Sequence, residues 1–263
     1  MKKHLLKVLT LLMAAAVLLC ACGDGKNAAD SGAQESWQKQ LISKDKLVVG
    51  MCSDYPPYES LNASGEIEGF DVDMAKELAE LMGLELEIKQ MEFSQIVTAV
   101  QMGQVDIGVS AFAYKADRDV LFSDPYIETD QVMVVTKNSG ITQLSQLAGK
   151  KIGAGTGTSC EEAAMKAVPE GVFSNPGDYN IMFAALQSGA IDAVACNDQV
   201  AKGYISANDD LAQIEEIMAT EGTHVIAMKG HDDLMGAVNE AIGKYMGSSA
   251  YTTALEKWEI GQE

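Results

Sequence analysis

Arg118, in "KADRDVLFSDPY", is the only arginine in a chain of 263 residues whose other formal cations are 18 lysines. A guanidinium offers a planar fork that grips a carboxylate through two parallel hydrogen bonds, a geometry that a lysine ammonium cannot reproduce. If one site here holds a carboxylate, Arg118 is its first candidate. The competing reading is a leftover of lysine-rich codon usage, paired with Asp117 or Asp119 on a solvated helix end. A second candidate is "GTGTSCEEA", where a Gly-rich loop runs into a helix start. There the backbone amides of Thr158 and Ser159 and the helix dipole suit an anion, although a short glycine pattern is often just a turn. No Ser/His/Asp order, metal cluster or full phosphate loop is present. For acid–base work only Glu161, Glu162 and His224 stand out, and the two glutamates read as ordinary first-turn helix residues.

The elements that must position these residues follow from periodicity. "KLVVGMC" reads as a strand stopped by "DYPPYES", whose double proline imposes an extended or turn conformation. "GFDVDMAKELAELMG" predicts a helix with Asp71 or Asp73 as its cap, Met74, Leu78, Leu81 and Met82 at helical spacing, and Gly83 at its end. "LELEIKQM" alternates as a strand, "FSQIVTAVQMG" is a second helix, and "VDIGVSAF" a buried strand, giving β-α-β-α-β and a parallel α/β sheet. "DQVMVVTKN" is a strand that crosses into a second series: "TQLSQLAG" helix, "KKIGAGTG" strand and loop, "SCEEAAMKAV" helix, "GDYNIMFAALQSG" helix, "AIDAVACN" buried strand, "DQVAKGYISAN" helix and "LAQIEEI" strand. "THVIAMKG" is a further extended segment leading to two C-terminal helices. Two α/β lobes joined by two extended crossings is the economical reading.

The first 21 residues carry a basic start (Lys2, Lys3, Lys7) and a short apolar run, the pattern of a cleaved secretory signal. "LLCAC" resembles a bacterial lipoprotein box with Cys22 as the acylated residue, so a lipid anchor in the bilayer, outside the cytoplasmic membrane, is expected. Residues 22–40, rich in Gly, Ala, Ser, Asp and Gln, read as a flexible leash. Without residues 1–21 the chain has 16 cations against 38 acids, a formal −22. Such a surface argues against nucleic acid as a partner. The remaining ~220 residues exceed the commonest domain size of ~100–150. Cys52, Cys160 and Cys196 are neither a disulfide framework nor a zinc pattern; buried thiols are the default, with one pair open if two Cβ atoms lie close.

The blocks "VVGMCSDYPPYES", "GEIEGFDVDMAKELAELMG", "MGQVDIGVSAF", "DRDVLFSDPY", "LAGKKIGAGTGTSCEEA" and "SGAIDAVACNDQVA" occur in a familiar order and spacing. Over about residues 46–260 the chain resembles the extracytoplasmic solute-binding proteins of polar amino-acid ABC transporters. The resemblance implies an α/β, two-lobe periplasmic-binding-protein fold of type II with two hinge strands and a ligand cleft between lobes. Lobe 1 would span 41–134 plus 225–263, and lobe 2 135–224. It implies that Arg118 clamps a ligand α-carboxylate, helped by Thr158 and Ser159, and that Asp198 takes the α-ammonium. Asp198 is also a good N-cap for the helix after it. Asn197 falls at a side-chain-sensing position. Ser110, Ala111, Phe112 and Ala113 would line the ligand; Ala111 and Ala113 replace hydroxyl residues frequent in the family, leaving main-chain contacts. Tyr55 matches the stacking aromatic, and Phe112 and Tyr58 are further apolar walls or core.

Cys52 stands where receptors for lysine, arginine, histidine or glutamine carry Asp. This argues against a cationic ligand side chain, since a buried cation without a counter-charge costs several kcal/mol; Asp54, turned inward by a bulge, would reopen that question. The function so implied is a monomeric receptor without metal or cofactor that delivers a free L-amino acid, its side chain uncharged or polar, to an ABC permease. The alternative is an enzyme on the same fold, such as a cyclohexadienyl-type dehydratase. A relay to a kinase is not expected, because no second membrane span follows in the chain.

Overall fold

The computed structural model describes residues 35–261. Its strands and helices run in the order β1 (Lys46–Met51), β2 (Asp54–Tyr55), β3 (Glu59–Leu61), β4 (Ile67–Glu68), α1 (Phe70–Leu81), β5 (Glu85–Gln90), α2 (Phe93–Gln101), β6 (Ile107–Ala113), β7 (Leu121–Phe122) and β8 (Ile127–Thr136). After β8 come β9 (Lys151–Gly153), α3 (Ser159–Ala167), β10 (Val172–Ser174), α4 (Tyr179–Gln187), β11 (Ala193–Asn197), α5 (Asp198–Ala207), β12 (Leu211–Gln213), β13 (Ala219–Ala227), α6 (Asp232–Met246) and α7 (Ser249–Lys257). The signal segment and Cys22 lie outside the described residues. No helix among the described residues is long and apolar enough to cross a membrane.

One continuous sheet has the order β10-β9-β11-β8-β13-β6-β1-β5. Its two ends are parallel triplets, β5-β1-β6 and β10-β9-β11, as the β-α-β signal requires. β1 and β11 are almost entirely buried, which matches their continuous apolar runs. Between the triplets lie the two long antiparallel strands, and each changes partner along its length. β8 pairs β13 over Ile127–Gln131 and β11 over Gln131–Val135; β13 pairs β8 up to Thr223 and β6 beyond it. These are the two extended crossings, and each half of the sheet with its helices forms a lobe. The "FSDPY" block fixes this register: Ser123 N donates to Val225 O (2.9 Å), Val225 N to Ser123 Oγ (2.8 Å) and Tyr126 N to Thr223 O (3.0 Å).

Several sequence expectations are corrected. Neither Asp71 nor Asp73 caps α1; Gly69 is the N-cap and makes no side-chain bond. Its φ is +144°, and a Cβ there would sit 2.0 Å from Tyr58 O, so only glycine fits. Asp71 instead turns into the core, while Asp73 accepts from Lys257 Nζ (2.6 Å) and Trp258 Nε1 (2.8 Å), tying the end of α7 to α1. Leu81 is 42% exposed, because it lies past the buried stripe that ends with Leu78 and Ala79. Residues 35–40 are not leash: Ser36–Gln40 form a 3-10 helix, Trp37 packs on the core, and Gln40 Oε1 accepts from Leu234 N (2.8 Å) at the start of α6. The expected helix at "TQLSQLAG" is a 3-10 turn, Leu144–Leu147. The small sheet β2-β3-β4 and the edge strand β10, both too short to show a period, escaped the sequence reading. Cys52, Cys160 and Cys196 are buried and free.

Candidate functional site

Strand β6 ends at Ala113, and the turn after it brings Arg118 back over the strand end. Its Nη1 donates to Ala113 O (2.9 Å), and the guanidinium carbon lies 5.3 Å from the ring centre of Phe112 and 5.7 Å from that of Phe93. Nη2 reaches the other lobe and donates to Gly157 O (2.8 Å) in the Gly-rich loop. The pairing with Asp117 or Asp119 is not formed; Asp119 pairs with Lys229, and no carboxylate among the described residues is within 4.0 Å of Arg118. Burial draws the guanidinium pKa below its ordinary value, opposed by Asp117, Glu221 and Glu162. Two of five N–H donors are committed, which leaves three for a ligand.

Arg118 borders a cavity of about 90 Å³ between the two lobes. Of the residues singled out from the sequence, Cys52, Tyr55, Ser110, Ala111, Ala113, Thr158 and Ser159 line it, together with Asp54, Glu92, Phe93, Ser94, Asn175, Tyr179 and Met182. Across from Arg118, α3 opens with Thr158 as N-cap, its Oγ1 accepting from Glu161 N (3.1 Å). The Thr158 amide already donates to Gly155 O (3.2 Å). Of the two expected amides, therefore, Ser159's is the one that the first turn leaves without an intrahelical acceptor, joined by Cys160's.

Tyr55 crosses the cleft. Its hydroxyl accepts from Asn197 N (3.3 Å) and lies 3.8 Å from Cys160 Sγ, and its ring sits 4.9 Å from that of Tyr179. Cys160 Sγ itself donates to Gln131 Oε1 (2.6 Å) on β8, and burial pushes this thiol up to about 12.

Three expected site residues are not brought to the cavity lining. Phe112 is fully buried behind the wall, stacked on Phe93 at 4.8 Å, and acts as the platform under Arg118. Asn197 is 2% exposed and caps α5, its Oδ1 accepting from Val200 N (2.9 Å), so Asn197 rather than Asp198 is the N-cap. Asp198 accepts from Asp130 N (3.3 Å) and Gln199 Nε2 (2.8 Å), and burial raises its pKa. Ser110 borders the cavity, but its hydroxyl donates away from it, to Glu59 Oε1 (2.6 Å). Tyr58 is fully buried and belongs to the core. The candidate acids for an enzyme lie elsewhere: Glu161 Oε2 accepts from Gly157 N (2.7 Å), Glu162 pairs with Lys115 (3.1 Å), and His224 Nδ1 meets Ser123 O (2.7 Å). Among the described residues, no group of three His, Cys, Asp or Glu could hold a metal ion.

Glu92, Phe93 and Ser94 were missed by the sequence reading. They sit where β5 gives way to α2, outside the carboxyl end of a strand, which is where α/β sheets gather ligand contacts. That rule applied to every strand, and not only to β6, would have found them.

Comparison with known proteins agrees with this architecture. The family model of the bacterial extracellular solute-binding proteins, family 3, matches residues 47–262. The arginine-binding extracellular protein ArtP of Bacillus subtilis is 33% identical over 271 residues, covering all of both chains. A crystal structure of a mutant ArgBP from T. maritima superposes with TM-score 0.80 at 29% identity, covering 85% of this chain and 99% of that one. AncCDT-1, an ancestral amino acid-binding protein described as a precursor of cyclohexadienyl dehydratase, superposes with TM-score 0.78 at 27% identity, covering 85% and 99%. With most of its length matched by the family model and its two-lobe sheet shared with these structures, the chain belongs to the bacterial extracellular solute-binding proteins, family 3.

Proposed function

We propose that this protein is an extracytoplasmic receptor that closes its lobes on one free L-amino acid and presents it to an ABC permease. One observation carries the reading: a half-buried guanidinium without a carboxylate partner, braced on Phe93 and Phe112, faces open helix-start amides across a small cavity. That arrangement suits an anion, and an α-carboxylate fits it in the bidentate form that arginine favours. Asp198, which stands outside the cavity lining at the hinge beside Asp130, is proposed as the ammonium acceptor on the family resemblance alone. The lobes are proposed as 41–134 plus 225–263 and 135–224, close to the partner changes at Gln131 and Thr223.

The side chain has two readings. Cys52 in place of Asp favours an uncharged polar ligand, while Asp54 and Glu92, both lining the cavity, favour a cationic one, as do arginine-binding relatives. Thermal-shift and calorimetric titration with L-glutamine and L-arginine decides between them. Failure of all twenty amino acids to shift the melting temperature overturns the receptor reading, and turnover of a stabilising ligand would establish the dehydratase-type alternative that the likeness to AncCDT-1 raises. The protein is proposed to be monomeric and held on the membrane through acylated Cys22; Cys22→Ala should release it into the soluble fraction.

A further inference from the structure

Directly behind the cavity wall lie two carboxyls that do not line the cavity themselves. Glu59 and Asp71 are both fully buried, and no Lys, Arg or His pairs with either among the described residues. Their donors divide unevenly. Asp71 accepts three hydrogen bonds, two from a single hydroxyl: Ala111 N to Oδ2 (2.8 Å), and Tyr126 Oη to Oδ1 (3.0 Å) and Oδ2 (2.9 Å). Glu59 Oε1 accepts from Ser110 Oγ (2.6 Å) and Cys52 Sγ (3.1 Å), but Glu59 Oε2 receives no hydrogen bond from any donor. The two carboxyls act on one another, which raises the Glu59 pKa and lowers that of Asp71.

Two ionised carboxylates cannot share a dry pocket without a cation, and a proton held between them is the standard resolution. We propose that Glu59 is a neutral carboxylic acid whose Oε2 proton is shared with the Asp71 carboxylate, and that this one-proton pair is the positioning element for Ser110 and Ala111 in the ligand wall. The two ends of the pair hold consecutive residues: Glu59 fixes the Ser110 hydroxyl, and Asp71 fixes the Ala111 amide. Ala111 has φ +43°, left-handed for a residue with a Cβ, and persists only because its surroundings over-determine it. Other groups facing the pair are the Cys52 thiol and the Tyr58, Tyr126 and Tyr245 phenols, all neutral near pH 7 and held so by burial. Burial raises both carboxyl pKa values as well, with Glu59 the more strongly affected.

The consequence for binding rests on the receptor reading, but the protonation readout does not. Infrared spectra of ligand-free protein in slightly alkaline D2O should show the carbonyl stretch of a protonated carboxylic acid, and Glu59→Gln should lose it. Absence of that band in the wild type, or its survival in E59Q, overturns the proposal. E59Q keeps an N–H donor toward Asp71 and an acceptor toward Ser110, so its dissociation constant for L-arginine or L-glutamine, whichever the wild type binds, should stay within about threefold. Loss of binding in folded E59Q would mean that an ionised Glu59 is needed, and also overturns it. If the wild type binds none of the twenty amino acids, the receptor reading fails, while the infrared outcome still decides the pair.

Discussion

Replacing Arg118 tests the carboxylate clamp most directly. Three of its five donors are uncommitted, and a fork takes two of them to a carboxylate. At about 1.5–3 kcal/mol for each charge-assisted bond, their loss in Arg118→Ala is about 3–6 kcal/mol. One decade in affinity is ~1.4 kcal/mol, so the dissociation constant should rise by about two to four decades. Arg118→Lys keeps the charge but not the fork, and should fall between wild type and Ala. Calorimetry with the amino acid that stabilises the wild type measures both. The melting temperature of the ligand-free variants separates lost chemistry from lost folding: the guanidinium is desolvated without an ion-pair partner, so Arg118→Ala should melt no lower than wild type by more than a few degrees. A folded Arg118→Ala with affinity within about threefold of wild type would refute the clamp.

Further outcomes follow from the same geometry. Gly69→Ala places a Cβ 2.0 Å from Tyr58 O at φ +144°, and should cost more than about 4 kcal/mol, seen as a fall of roughly 10 °C in melting temperature. Asp54→Asn with Glu92→Gln should weaken L-arginine by at least about tenfold and leave L-glutamine within about threefold if the ligand side chain is cationic; equal small effects on both would show that these carboxylates do not read the side chain. Burial raises Asp71 to about 6, against backbone and Tyr126 bonds that lower it. The folded state therefore holds a proton that the unfolded state releases between about pH 4 and 6, so this group adds stability as pH falls through that window and loses it as pH rises. Chemical denaturation across pH should show that slope reduced in Asp71→Asn.

How legible the site was depended on how local its signal is. Arg118 could be found because an isolated guanidinium is rare in this composition, and because "FSDPY" pins the register of the strand beside it. β1, β6, α1 and α2 announced themselves through apolar runs and period. Cys52 looked like a lost specificity carboxylate, yet its thiol and the Ser110 hydroxyl both point to Glu59, seven residues on from Cys52 in a sheet of two- and three-residue strands with no visible period. The position of Asp71 in the sequence suits a helix cap, and nothing in a linear reading tells that Tyr126, 55 residues later, returns to bond its carboxylate. The capping role expected of Asp198 falls to Asn197 for a similar reason: adjacent residues can both satisfy a helix start, and the choice depends on where β11 ends.

The cross-cleft contacts indicate how recognition and closure divide the work. Besides Arg118 to Gly157, the lobes meet through Tyr55 with Asn197 and Tyr179, and through the Lys115–Glu162 pair at 3.1 Å. Glu162 is 67% exposed on its side chain, and an ion pair of that kind contributes about 0–1 kcal/mol. A ligand stabilises the closed arrangement only by contacts absent from the open one, and the carboxylate proposed to bridge Arg118 on one lobe and the Ser159 amide on the other would be such a contact. Glu162→Gln should therefore leave affinity within about threefold, where Arg118→Ala loses at least two decades. If the two variants lost affinity equally, closure through the lobe surfaces, and not the buried carboxylate, would be setting the affinity.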